Sequence, residues 1–178
     1  MLMWAFLASD CMFFGTLIAT YMVYKQRQEL IPPVPREIFD IPYTSVSAFV
    51  LLLSSVTMVL ALDAIQHNRV ARMRTWLIAT ALLGSVFLAG QYYEFTSFFS
   101  EGLNLSTSLF GSSFFLLTGF HGTHVAIGVF WLLSLVVQSW RGKITQANAL
   151  TIEIAGLYWH FVDIVWILIF TLVYLIPE

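Results

Sequence analysis

Five long apolar runs, each bounded by charge, proline or glycine, divide the chain. A hydrocarbon core of ~30 Å takes ~20 helical residues to cross, and every run reaches that length. The predicted spans cover residues 2–24, 43–62, 76–99, 110–137 and 154–176. Lys25, Arg27 and Glu29 close the first, and a connector holding Pro32, Pro33, Pro35 and Pro42 follows. Asp63, His67, Arg69, Arg72 and Arg74 form a short basic loop after the second. Trp76 opens the third span, Phe99 closes it, and the polar stretch 100–108 follows. Trp140, Arg141, Gly142 and Lys143 close the fourth, and Pro177 stops the fifth. Connectors this short leave no room for a soluble domain, and no internal repeat is visible. The pattern therefore predicts one all-α domain over residues 1–178, an integral membrane bundle of five transmembrane helices.

Composition supports lipid as the solvent. The chain is 59% hydrophobic and 10% charged, against ~25% charge in an ordinary soluble domain. A net charge of -2, with no run of Lys or Arg, excludes a nucleic-acid footprint. Cys11 is the single cysteine and excludes a disulfide framework or a Cys-based metal site. The first run lacks a basic n-region and a small-residue cleavage site, so it reads as a retained span and not as a signal peptide. Five spans put the N-terminus on the side of Arg69, Arg72, Arg74, Arg141 and Lys143, against Lys25, Arg27 and Arg36 opposite. The positive-inside rule then predicts the N-terminus inside and the C-terminus outside.

Ionisable residues at mid-bilayer cost ~2.5–3.5 kcal/mol on insertion scales and often mark a site. Asp10 is the deepest carboxylate, and no Lys or Arg lies within its span to face it. It reads either as a helix-locking carboxyl or as a functional one. Glu94 follows Gln91, Tyr92 and Tyr93, where an aromatic belt and a neighbouring helix can supply hydrogen bonds. His121, His124 and Gly128 fall at spacings of three and four, which predicts a common helix face. Thr118 and Gly122 would let another helix approach. Two histidines three apart can chelate a metal, but a site needs further ligands, and none is at hand. His160 and Asp163, one turn apart, could relay protons or satisfy each other's hydrogen bonds.

Three motifs resemble a known family. The fifth span reads Tyr158-Trp159-His160-Phe161-Val162-Asp163-Ile164-Val165-Trp166. The fourth opens with Phe110-Gly111-Ser112 and continues Thr118-Gly119-Phe120-His121-Gly122-Thr123-His124-Val125, and Gln91-Tyr92-Tyr93-Glu94 precedes it. In this order and at these separations they resemble subunit III of the haem-copper terminal oxidases, along the whole chain. The resemblance implies the last five helices of a seven-helix mitochondrial bundle, and hence a prokaryotic form in a plasma (inner) membrane. Ser9-Asp10-Cys11 is similar to the quinol oxidase branch, whereas the Trp159-His160 string is similar to the cytochrome c branch, so the electron donor stays open.

The same resemblance implies an accessory subunit of an oxidase, with haem and copper in partner subunits I and II, a small subunit IV as a further candidate partner, and no redox centre of its own. It implies stabilisation of subunit I, bound phospholipid and support of proton uptake. Proton-modulating or buried polar roles fall on Asp10, Glu94, His121, His124, His160 and Asp163. The family's lipid-binding positions fall on Gln66, Gln138 and Arg141. Two alternatives stand beside this reading: an accessory subunit of a nitric oxide reductase, and a small proton or ion carrier.

Overall fold

The computed structural model describes residues 2–25, 41–100 and 109–175. Arg27, Glu29, Pro32, Pro33, Pro35 and Arg36, positions 101–108, and Ile176 and Pro177 lie outside the described residues. The described chain forms five helices long and apolar enough to cross a membrane, and no strand. They are α1 (Leu2–Lys25), α2 (Ile41–Gln66), α3 (Val70–Ser100), α4 (Leu109–Trp140) and α5 (Ala149–Phe170). A 3-10 turn, Gln146–Asn148, leads into α5, and a π turn, Thr171–Leu175, continues it.

The helices extend past the apolar runs. Helix α2 starts at Ile41, with Pro42 in its first turn, where a missing N–H costs no helical hydrogen bond. The basic loop shrinks to residues 67–69, because Asp63 lies on α2 and both Arg72 and Arg74 lie on α3. Helix α5 likewise begins at Ala149 and not near residue 154. Hydropathy marks where the tails are, whereas the backbone ladder continues into the headgroup zone, where polar side chains reach water. Arg74 illustrates this, its Nε donating to Ser139 Oγ on α4 at 2.9 Å.

Two helix ends share one capping device. At the end of α2, Arg69 N–H bonds to Ala64 O (2.8 Å) and Asn68 N–H to Ile65 O (3.0 Å). At the end of α4, Lys143 N–H bonds to Gln138 O and Gly142 N–H to Ser139 O, both 3.1 Å. These are Schellman pairs, and each places its hinge residue at positive φ, 57° for Asn68 and 70° for Gly142.

Helix α2 lies along α3, α3 along α4, and α5 packs across α2 and α4 to close the core. Helix α1 packs on α4 and the edge of α5. Its buried Leu7, Phe14 and Tyr21 fall seven apart, and the partly buried Met3, Asp10 and Leu17 repeat at the same interval, each four residues ahead of one of them. That is the 3.5-residue seam of two helices in coiled-coil-like contact. Since lipid tails are as apolar as the core, close packing and interhelical hydrogen bonds must hold such a bundle together. Trp159 on α5 supplies both. A Cβ on Gly84 of α3 would lie 2.6 Å from its ring and one on Gly128 of α4 2.8 Å, so those positions take only hydrogen. Its indole N–H donates to Ser54 Oγ on α2 at 2.9 Å, which engages a fourth helix.

Candidate functional site

The polar side chains inside the bundle sort into four clusters, each spanning at least two helices. The first joins α1, α4 and α5. Asp10 Oδ2 stands 3.5 Å from His124 Nε2, and both side chains are largely but not fully covered. His124 Nδ1 is 2.8 Å from Phe120 O, one turn back, so that nitrogen carries a proton and donates it. Nε2 is thus the nitrogen turned toward Asp10. Phe14 caps the imidazole edge-on, with ring centroids 5.1 Å apart, and Tyr158 O–H donates to His124 O at 2.9 Å. A group facing Asp10 thus comes from α4 of the same chain.

His121 sits apart from His124. It is fully buried, Nε2 donates to Val162 O on α5 at 3.2 Å, and the ring packs against Phe87 and Trp166. The expected common face is therefore split, with one imidazole turned to α3 and α5 and the other to α1. A residue spacing of three leaves a 60° offset, enough in a crowded bundle to separate two side chains. The close approach expected at Thr118 and Gly122 is present. Gln91 Nε2 donates to Thr118 O at 2.7 Å, and its Oε1 would stand 2.6 Å from a Cβ on Gly122.

His160 and Asp163 do not pair with each other. His160 Nδ1 meets Ser55 Oγ on α2 at 2.6 Å. Asp163 is buried, 3% exposed, and also faces Ser55, although neither carboxyl oxygen reaches hydrogen-bond geometry. Helix α2 therefore supplies the partner of His160, and the two residues do not satisfy each other's hydrogen bonds.

The fourth cluster lies where α1, α3 and α5 end and α2 begins. Glu94 is buried and accepts a hydrogen bond from Thr44 of α2, and Tyr174 in the π turn bonds to both. Lys25 is buried as well, and its Nζ donates to Leu172 O of the same turn at 3.3 Å. Tyr174 is buried within this turn.

Of the lipid-binding candidates, Gln138 and Arg141 line one open groove of about 430 Å³ along α4, together with Phe130, Leu133, Ser134 and Val137. Gln66 lies away from it, exposed, with its carbonyl accepting from Gln146 Nε2 at 2.7 Å. Among the described residues no three of His, Cys, Asp and Glu gather closely enough to hold a metal ion.

Sequence reasoning missed Ser55, Thr44, Tyr174 and the burial of Lys25. One signal was available for the last of these, since counting spans puts Lys25 and Glu94 at the same membrane face. Ser55 and Thr44 carry no such mark, because hydroxyls are ordinary in membrane helices.

Five helices long and apolar enough to cross a membrane, with polar side chains gathered between them, define a polytopic membrane protein. Residues 1–177 match the family described as cytochrome c oxidase subunit III. A protein of Staphylococcus saprophyticus named "Probable quinol oxidase subunit 3" is 39% identical over 173 residues, which cover 97% of this chain and 86% of its own length. The protein of the same name from Staphylococcus aureus strain USA300 is 38% identical over the same extent. The chain belongs to the cytochrome c oxidase subunit III family, the accessory subunits of haem-copper terminal oxidases.

Proposed function

We propose that the chain is the third subunit of a quinol-oxidising haem-copper oxidase in a prokaryotic plasma membrane. It acts as a single unit over residues 1–178, packs against subunits I and II, and carries no redox centre. A small subunit IV is a further partner. The observation that carries a non-catalytic role is the fate of the two α4 histidines. His121 turns to α3 and α5 and His124 to α1, so the two rings cannot share a cofactor. The relatives' names favour quinol over cytochrome c as the donor, and an oxidase over a nitric oxide reductase. A carrier reading has no observation in its favour.

In this reading the groove beneath Arg141 holds phospholipid. Its apolar wall takes an acyl chain, and the guanidinium and Gln138 sit at headgroup depth. Gln66 contributes at most from the adjoining loop. The Asp10–His124 pair then modulates proton uptake by the assembly without belonging to the catalytic route.

Purification of the oxidase through a tag on this chain tests the reading. Subunits I and II should copurify, quinol and not reduced cytochrome c should support oxygen consumption, and the chain isolated alone should contain neither haem nor copper. Stoichiometric metal in the isolated chain would refute the non-catalytic role, and turnover with cytochrome c alone would refute the donor.

A further inference from the structure

Where α5 meets α2, the partly exposed His160 and Ser55 interrupt an outer surface that carries the exposed Val56 and Ile164. Val56, beside Ser55, is 54% exposed, and Ile164, one turn along from His160, is 57% exposed. His160 itself is only partly covered, and Ser55 fixes its ring through Nδ1 at 2.6 Å. The other nitrogen, Nε2, has no hydrogen bond within the chain among the described residues, and it is not one of the buried unpaired atoms, so it reaches the surface. His160 stands two residues from the centre of the helical stretch 149–175, about 3 Å along the axis.

Depth decides what can cover it. Phospholipid headgroups begin ~15 Å from the bilayer centre, half the ~30 Å core, so their polar atoms do not reach His160. Lipid tails would leave Nε2 unsatisfied, a penalty of about 1–3 kcal/mol. A protein helix can bring a polar side chain to that depth with its own backbone satisfied. Ser55 also sets what that side chain must do. Its hydroxyl either accepts from His160 Nδ1 or donates to it, which leaves Nε2 an acceptor or a donor respectively.

Resting on the subunit reading above, we infer that the α2–α5 face around His160 docks a transmembrane helix of another subunit of the same oxidase. That helix presents one hydroxyl, amide or carboxyl side chain to Nε2. A hydroxyl fits both states of the Ser55 relay, since it can donate and accept.

The photoreactive residue p-benzoylphenylalanine, placed at Val56 or at Ile164 in the assembled, tag-purified oxidase, provides the test. Irradiation should join each position to a transmembrane peptide of another oxidase subunit that carries a polar residue within one turn of the attachment point. Adducts of phospholipid alone, in a complex that still contains subunits I and II, overturn this inference and leave the subunit reading intact. Failure of those subunits to copurify with the unmodified chain overturns both. His160→Leu should lower the amount of this chain retained in the purified complex by about threefold, the worth of one membrane hydrogen bond, and His160→Gln should restore it. Equal retention of the Leu and wild-type forms also overturns the inference.

Discussion

Trp159 is gripped from two sides by glycines and tethered on a third by Ser54, so small changes around it are costly. A methyl group at Gly84 or Gly128 would enter the indole's own volume. Gly84→Ala and Gly128→Ala are each expected to destabilise the chain by about 1–3 kcal/mol through overpacking. At Gly15 an added Cβ meets nothing within 4 Å, so Gly15→Ala should be neutral. Titration of the detergent-solubilised chain with sodium dodecyl sulfate, followed by tryptophan fluorescence, should lower the midpoint for the first two only; equal midpoints for all three contradict the packing argument. Much at this scale was legible, since Asp10, Glu94, His121, His124, His160 and Asp163 all stood out as polar residues in apolar runs. Their partners did not. Asp10 and His124 are 114 positions apart, and Ser55 and His160 meet across 105. Spacing along one helix carries no information about such pairs, and only the order in which helices pack decides them.

At the scale of the element, the existence and number of the helices followed from hydropathy, while their contact faces did not. The α1 seam of Leu7, Phe14 and Tyr21 has a clear period in burial and none in hydropathy, because Trp4, Met12 and Val23 on its lipid side are as apolar as the seam. In water the two faces would differ in polarity, and in lipid they differ only in fit. The π turn after α5 was equally invisible, since it is set by what surrounds it: Lys25 on Leu172 O, and Tyr174 with Glu94 and Thr44. Glu94→Ala removes the common partner of two buried hydroxyls, with an expected loss of about 1–3 kcal/mol. The backbone of residues 171–175 should then exchange its amide hydrogens faster than the middle of α5, whereas Glu94→Gln, which keeps an acceptor, should change exchange much less. Unchanged exchange in the Ala variant contradicts the role given to this cluster. Capping gives an independent check: Gly142→Ala forces a Cβ into positive φ and should cost about 1 kcal/mol, whereas Asn68→Gly should be neutral or mildly stabilising in the same denaturation assay.

For the whole molecule, charge predicts the placement in the membrane, with the turn at residues 67–69 inside and the connector that contains Glu37 outside. Single cysteines introduced at Asn68 and Glu37 of a Cys11→Ser background should react with an impermeant maleimide from opposite sides of sealed vesicles, and labelling from one side ends this topology. The same frame puts Asp10 and His124 near mid-bilayer, where an uncompensated charge is expensive. At 3.5 Å, His124 is the group placed to compensate a charge on Asp10 at that depth. On the modulator reading proposed above, the pair tunes proton supply to a neighbouring subunit and is not part of the catalytic route. Asp10→Asn keeps the volume and lets an amide N–H donate to His124 Nε2, so helix packing, assembly and initial oxygen consumption should stay close to wild type. What the amide cannot do is give up a proton, so the deficit should emerge as faster loss of activity over many turnovers. Steady-state oxygen consumption of the assembled complex, followed from the first turnovers to exhaustion, separates the two roles. Near-complete loss of initial activity with an intact haem spectrum would make Asp10 an obligatory proton carrier, whereas normal initial rates with accelerated decay place it as a modulator held between α1 and α4.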